Sequence, residues 1–178
     1  MLIASKYEEI WAPEVRDFVY ISDRAYTKEQ ILAMEKMILN TLKFDLTVPT
    51  ANTFLGRYLK AAGIKDKWAC LHAAYLVELA IPDYGMLKFA HSEVAAAAVL
   101  LVIKLLAPEK PYPRALARHS GYRAAQLRAC ATALEKLVAK APKASLVAVY
   151  KKYSSGKFLE VALKFGQAED ADEEEESD

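Results

Sequence analysis

At 178 residues and 54% hydrophobic content, the chain is long enough for one domain, or one and part of another, and apolar enough to fill a core, which excludes a disordered chain. No apolar run reaches the roughly 20 uncharged residues of a membrane helix, and Met1–Ala4 lacks the basic opening of a signal peptide, so an intracellular location is expected. The formal charge of +1 hides an asymmetry: Glu169–Asp178 holds eight acidic residues and no basic one, which leaves residues 1–168 at +9. That decapeptide has nothing to bury, and is expected to be a disordered, solvated end, with masking of the basic body or binding of a basic partner as the sharper reading.

Helical signals recur along the chain, and no segment alternates with hairpin turn chemistry. Met1–Ile10 reads as an apolar helix without an entry cap. Trp11-Ala-Pro13 is expected to open a short helix with proline in its first turn. Thr27-Lys-Glu-Gln30 has the spacing of a capping box, in which the threonine oxygen and the glutamine side chain satisfy each other's free backbone N–H groups. The helix it starts places Ile31, Met34, Ile38, Leu39 and Leu42 on one face. Val48-Pro49-Thr50 breaks that helix and begins a second unit.

In the second unit, helices are predicted over Thr50–Ala62 and Lys67–Leu79, with Gly63 as a stop between them. Ile81–Gly85 is turn chemistry. Ser92 is expected to cap a helix over Glu93–Leu106 that is apolar nearly all round, and therefore central and buried. A loop over Pro108–Pro113 leads to a short helix ending at Gly121. A longer helix over Ala124–Lys140 and two weaker segments, Ser145–Tyr153 and Phe158–Phe165, complete an all-α bundle.

No catalytic constellation appears. His72, His91 and His119 stand far apart without partners at metal spacing and read as surface or cap histidines. Cys70 and Cys130 form no CxxC pattern and read as buried free thiols. Adjacent Glu8 and Glu9 point to different sides of a helix and make no acid/base pair. The residues thus predict no enzyme, no cofactor and no metal. Arg114, Arg118, Arg123, Arg128, Lys136, Lys140 and Lys143 are dense enough for a nucleic-acid reading, but they alternate with Ala and Leu as solvated helix faces do, and no stacking aromatics accompany them.

Lys6 and Glu35 stand in otherwise apolar helix faces, where a charge needs a partner. They read either as an intramolecular pair or solvated ends, or as a donor and an acceptor for a partner's backbone. In the second case Leu39, Phe44 and Leu46 supply an apolar floor.

Lys6-Tyr-Glu-Glu-Ile10, Val15-x-x-Phe-Val-Tyr20, Asp23, Tyr26-Thr-Lys28 and Met34-Glu35 closely resemble the later helices of the first cyclin box, and within that family look most like B-type mitotic cyclins of plants and green algae. Phe44-Asp-Leu46-x-x-Pro49-Thr50 is similar to the join between the two boxes, and Tyr75-Leu-x-Glu78-Leu79, Ser92-x-x-Ala95-Ala96 and Gly121-Tyr122 to the second box. The resemblance implies the all-α cyclin fold, with residues 1–46 as the end of a first box lacking its opening helices, 47–166 as the second box and 167–178 as the acidic tail. It implies a non-catalytic regulatory subunit, in nucleus and cytoplasm, that activates a cyclin-dependent kinase at mitosis. Lys6 and Glu35 would hold the kinase's mobile helix, with Tyr7, Leu39, Phe44 and Leu46 packed beside it. The kinase is the implied partner, with no small-molecule substrate and no membrane. Uncovered apolar faces predict that the second box folds alone while residues 1–46 are loosely held and bind a kinase weakly, if at all. A cyclin-like adaptor without kinase activation and a nucleic-acid-associated cyclin-fold protein are the alternatives.

Overall fold

The computed structural model describes residues 1–164, and among these every regular element is helical. The acidic tail lies outside the described residues. The chain divides into two compact units, Met1–Val48 and Pro49 onward.

The first unit contains α1 (Leu2–Glu8), α2 (Val15–Ile21) and α3 (Lys28–Thr41). The expected capping box opens α3: Thr27 Oγ1 accepts from the Gln30 N–H at 3.3 Å, and the Thr27 N–H donates to Gln30 Oε1 at 2.9 Å. Pro13 does not open α2. The Glu14 N–H instead donates to Asp17 Oδ2 at 2.8 Å, a reciprocal acidic cap that starts the helix at Val15 and leaves the proline outside.

Both α2 and α3 end without glycine. The Phe44 N–H bonds the Leu39 carbonyl and the Lys43 N–H that of Asn40, the paired bonds of a Schellman motif; Arg24 and Asp23 repeat the pattern on Val19 and Tyr20. Each motif carries two consecutive non-glycine residues in the left-handed region, at φ 51° and 57° for Asp23 and Arg24 and at 51° and 58° for Lys43 and Phe44.

The second unit is organised around α6 (His91–Leu106). Val94 to Ile103 are all buried, and α4 (Ala51–Ala61), α5 (Lys67–Ala80) and α8 (Ala124–Lys140) pack against them. The run Ala95–Ala98 has no side chain beyond Cβ, which suits close approach by neighbouring helices. α7 (Arg114–Ser120) lies against α4, while α9 (Ala148–Tyr153) and α10 (Val161–Lys164) cover α5. Gly121 supplies the left-handed residue after α7 at φ 78°, and Gly63 does so after α4 at 74°.

Ser92 does not cap α6. The helix begins at His91, and the Ser92 hydroxyl is held by Tyr122 Oη at 3.0 Å, so a tertiary hydrogen bond takes it from the capping role. His72 is no surface histidine either. It is fully buried on α5 with its ring 4.6 Å from that of Trp68, and burial pushes its pKa down to about 4. Cys130 is buried and its thiol is pushed up to about 12, whereas Cys70 is only half-buried; both are free.

Candidate functional site

All six candidate residues lie in the first unit. The Lys6 Nζ of α1 donates to Glu35 Oε1 of α3 at 2.8 Å. The two ends of this bridge differ: the lysine side chain is 50% exposed and the glutamate 14%. Glu35 is therefore a carboxylate largely removed from water, with its compensating charge on a lysine that solvent still reaches. Desolvation penalises an unpaired charge there, so the bridge holds both side chains in place.

Tyr7, beside Lys6 on α1, shares a 2.6 Å hydrogen bond between its hydroxyl and Thr47 Oγ1. This bond ties α1 to the segment that carries Phe44 and Leu46. Leu39 follows Glu35 by four positions, on the same stripe of α3, and is half-buried. The Schellman turn then reverses the chain, and Phe44 emerges 65% exposed. A further backbone bond, from the Leu46 N–H to the Phe44 carbonyl at 3.0 Å, holds half-buried Leu46 close behind it. Lys6 and Glu35 are thus brought into contact. Tyr7 and Leu46 are linked through the Thr47 segment, and Phe44 is presented outward by the turn.

Two features of this unit go beyond the expected uncovered apolar faces. The left-handed pair Lys43–Phe44 left no glycine or asparagine as a signal. An apolar groove of about 780 Å³, lined by Leu2, Phe18, Tyr26, Ile31, Met34 and Ile38 among others, lies between the three helices. Its signal was present in the apolar positions of α3, none of which is fully buried.

Chemically, the arrangement offers one anionic acceptor, one cationic donor and an exposed aromatic ring. Among the described residues no group of His, Cys, Asp and Glu side chains could hold a metal ion. Lys6 Nζ and the second oxygen of Glu35 retain hydrogen-bonding capacity, and the Phe44 ring is apolar surface open to solvent.

The described residues thus form two helical units, with a small-residue central helix in the second and an interhelical Lys–Glu bridge in the first. Family models agree: Cyclin, C-terminal domain, matches residues 49–165, and Cyclin, N-terminal domain, matches residues 1–47. The chain belongs to the cyclin family. It is 48% identical over 168 residues to Cyclin-B1-1 of Oryza sativa subsp. japonica, covering 92% of this chain and 37% of that protein. It is 41% identical over 169 residues to Cyclin-A1-1 of the same plant, covering 92% of this chain and 33% of that one. G2/mitotic-specific cyclin-B of Marthasterias glacialis is 43% identical over 162 residues, with 91% and 42% covered. The likeness thus extends to A-type as well as B-type cyclins, and the chain spans between 33% and 42% of these relatives' length.

Proposed function

We propose that this chain is a non-catalytic regulatory subunit that docks on the mobile regulatory helix of a cyclin-dependent kinase and favours its active state in control of the G2/M transition. The docking face is Lys6, Tyr7, Glu35, Leu39, Phe44 and Leu46. The observation that carries the reading is the Lys6–Glu35 bridge together with an exposed Phe44 in the same unit, in a chain of the cyclin family. The likeness to a relative named as G2/mitotic-specific supports the timing.

The mechanism needs no reacting group on this chain. Lys6 Nζ has donor capacity beyond its bond to Glu35, and Glu35 has a second carboxylate oxygen; both are held at a fixed separation before any partner arrives. The free N–H groups at a helix N-terminus donate to Glu35, and backbone carbonyls of the non-helical segment leading into that helix accept from Lys6. Phe44 inserts beside Leu39 and Leu46 as the apolar anchor. Because the kinase helix offers these groups in place only in its active position, binding shifts the kinase population toward that state. Such an activator works with the kinase, inside the cell, in nucleus and cytoplasm. Residues 1–46 act as the closing part of the first box and 47–166 as the second.

A charge-swap series tests this. Lys6→Glu and Glu35→Lys each lower kinase affinity by more than about tenfold in calorimetry, since each removes a charge-assisted hydrogen bond worth about 1.5–3 kcal/mol. The double swap rebuilds the internal bridge but presents reversed charges outward, and it stays defective. Recovery of affinity in the double variant would mean that the pair serves only the fold, and would overturn the assignment.

A further inference from the structure

The two units differ in charge. Residues 49–164 contain 18 lysines and arginines against seven aspartates and glutamates. Four of these cations lie where α7 packs on α4. Arg57 and Lys60, three positions apart on α4, are exposed, as are Arg114, Arg118 and His119 on α7. Neither helix contains an aspartate or glutamate. The Arg57 guanidinium donates to His119 Nδ1 at 3.2 Å, so the ridge brings a cation and an imidazole together where an acidic partner would ordinarily stand. Among the described residues the ion pair of this unit is Lys152 with Glu78, on other helices. Like charges held together raise the energy of the folded state, and an anion seated on them lowers it.

We infer that the α4–α7 ridge is the docking surface for the chain's own acidic segment, Glu169–Asp178, which covers it by charge complementarity. The segment carries eight carboxylates in ten residues, the densest negative charge in the chain. Its reach suffices. The 14 residues after Lys164 span up to roughly 45–50 Å when extended, against a radius of gyration of about 13 Å for a domain of this size. Tethering sets the local concentration of the segment in the mM range, so an intrinsic dissociation constant of about 0.1 mM keeps the ridge covered about nine-tenths of the time. Arg57, Arg114 and Arg118 supply forked guanidinium donors for carboxylates, and Lys60 a point charge. Covering the ridge withholds it from external polyanions.

The test is a thermodynamic cycle on the full chain, with and without residues 169–178, in the native background and in the triple variant Arg57→Ala, Arg114→Ala, Arg118→Ala. All three side chains are exposed, so circular dichroism should report the same fold. A short DNA duplex at low salt is the polyanion probe. Deleting the segment tightens duplex binding roughly tenfold in the native background and less than about twofold in the triple variant, and the difference fades as salt rises. Equal tightening in both backgrounds would show only the general effect of net charge and would overturn the proposal. In a second arm, a synthetic Glu169–Asp178 peptide is titrated into the shortened chain. Amide shifts centred on Arg57, Lys60, Arg118 and His119 support the ridge; shifts centred on Lys136 and Lys140 of α8, or no saturable shifts, refute it.

Discussion

The two units solve the same folding problem to different depths. In the second, α6 is sealed from Val94 to Ile103, and Leu116, Leu127 and Leu134 reach zero exposure around it. In the first, α3 runs for 14 residues without one buried side chain, and Met34, Met37, Ile38 and Leu42 stand open to solvent. The second unit is held by apolar burial, which a closed core supplies by itself. The first buries Leu2 and Phe18 and is otherwise held by caps, two Schellman turns, a salt bridge and the Tyr7–Thr47 hydrogen bond. Interactions of that kind contribute about 1 kcal/mol each, so the first unit has order without depth. A surface of that kind gains most from a partner, because apolar area left open is area that binding can still remove from water.

The largest effect expected from breaking this contrast is in the core. Leu134→Ala removes a fully buried side chain and should destabilise the second unit by about 2–5 kcal/mol, whereas Ile38→Ala on the open face of α3 should cost under about 1 kcal/mol. Urea unfolding of both variants makes the comparison, and similar losses would erase the distinction. Acid sensitivity should also belong to the second unit. His72 has a folded pKa pushed down to about 4 from 6.5, so the unfolded state binds its proton first as pH falls. Stability contributed by keeping this ring neutral is therefore full above pH 6.5, drains away down to about pH 4, and amounts to up to about 3 kcal/mol. Unfolding free energies of the native chain and of His72→Leu across that range isolate the histidine: the variant should lose the slope assigned to the ring.

A smaller and opposite effect is expected in the first unit. Lys43 pays for a left-handed φ of 51° that glycine adopts freely, so Lys43→Gly should stabilise α3 and its turn by about 1 kcal/mol. Helicity and thermal melting of the first unit read the gain. A loss instead would mean that the Lys43 side chain contributes more than its backbone strain.

The helical class and the central helix were legible because α6 is apolar nearly all round, a pattern that marks a buried helix. The Thr27 box was legible because its spacing alone dictates its hydrogen bonds. The left-handed turns were not, since Lys43, Phe44, Asp23 and Arg24 adopt against their preference a geometry that glycine normally announces. Ser92 and His72 misled for a shared reason, that packing decides what a polar side chain does: Tyr122 holds the Ser92 hydroxyl, and His72 lies on a fully buried face of α5. In the candidate site, the charges of Lys6 and Glu35 were conspicuous in apolar surroundings, and of the two readings they allowed the intramolecular pair is the one the 2.8 Å bridge shows. The outward throw of Phe44 depends on the turn and was not legible.

The most direct measurement is amide hydrogen exchange on the chain alone and with a cyclin-dependent kinase added. Alone, α6 and α8 should exchange only through global unfolding, while α3 exchanges through local opening at far lower free energy. With kinase, protection should rise along α1, α3 and the Phe44–Leu46 segment and remain unchanged in α6. Protection of α3 equal to that of α6 in the free chain, or a kinase effect confined to the second unit, would contradict the assignment of the docking face to the first.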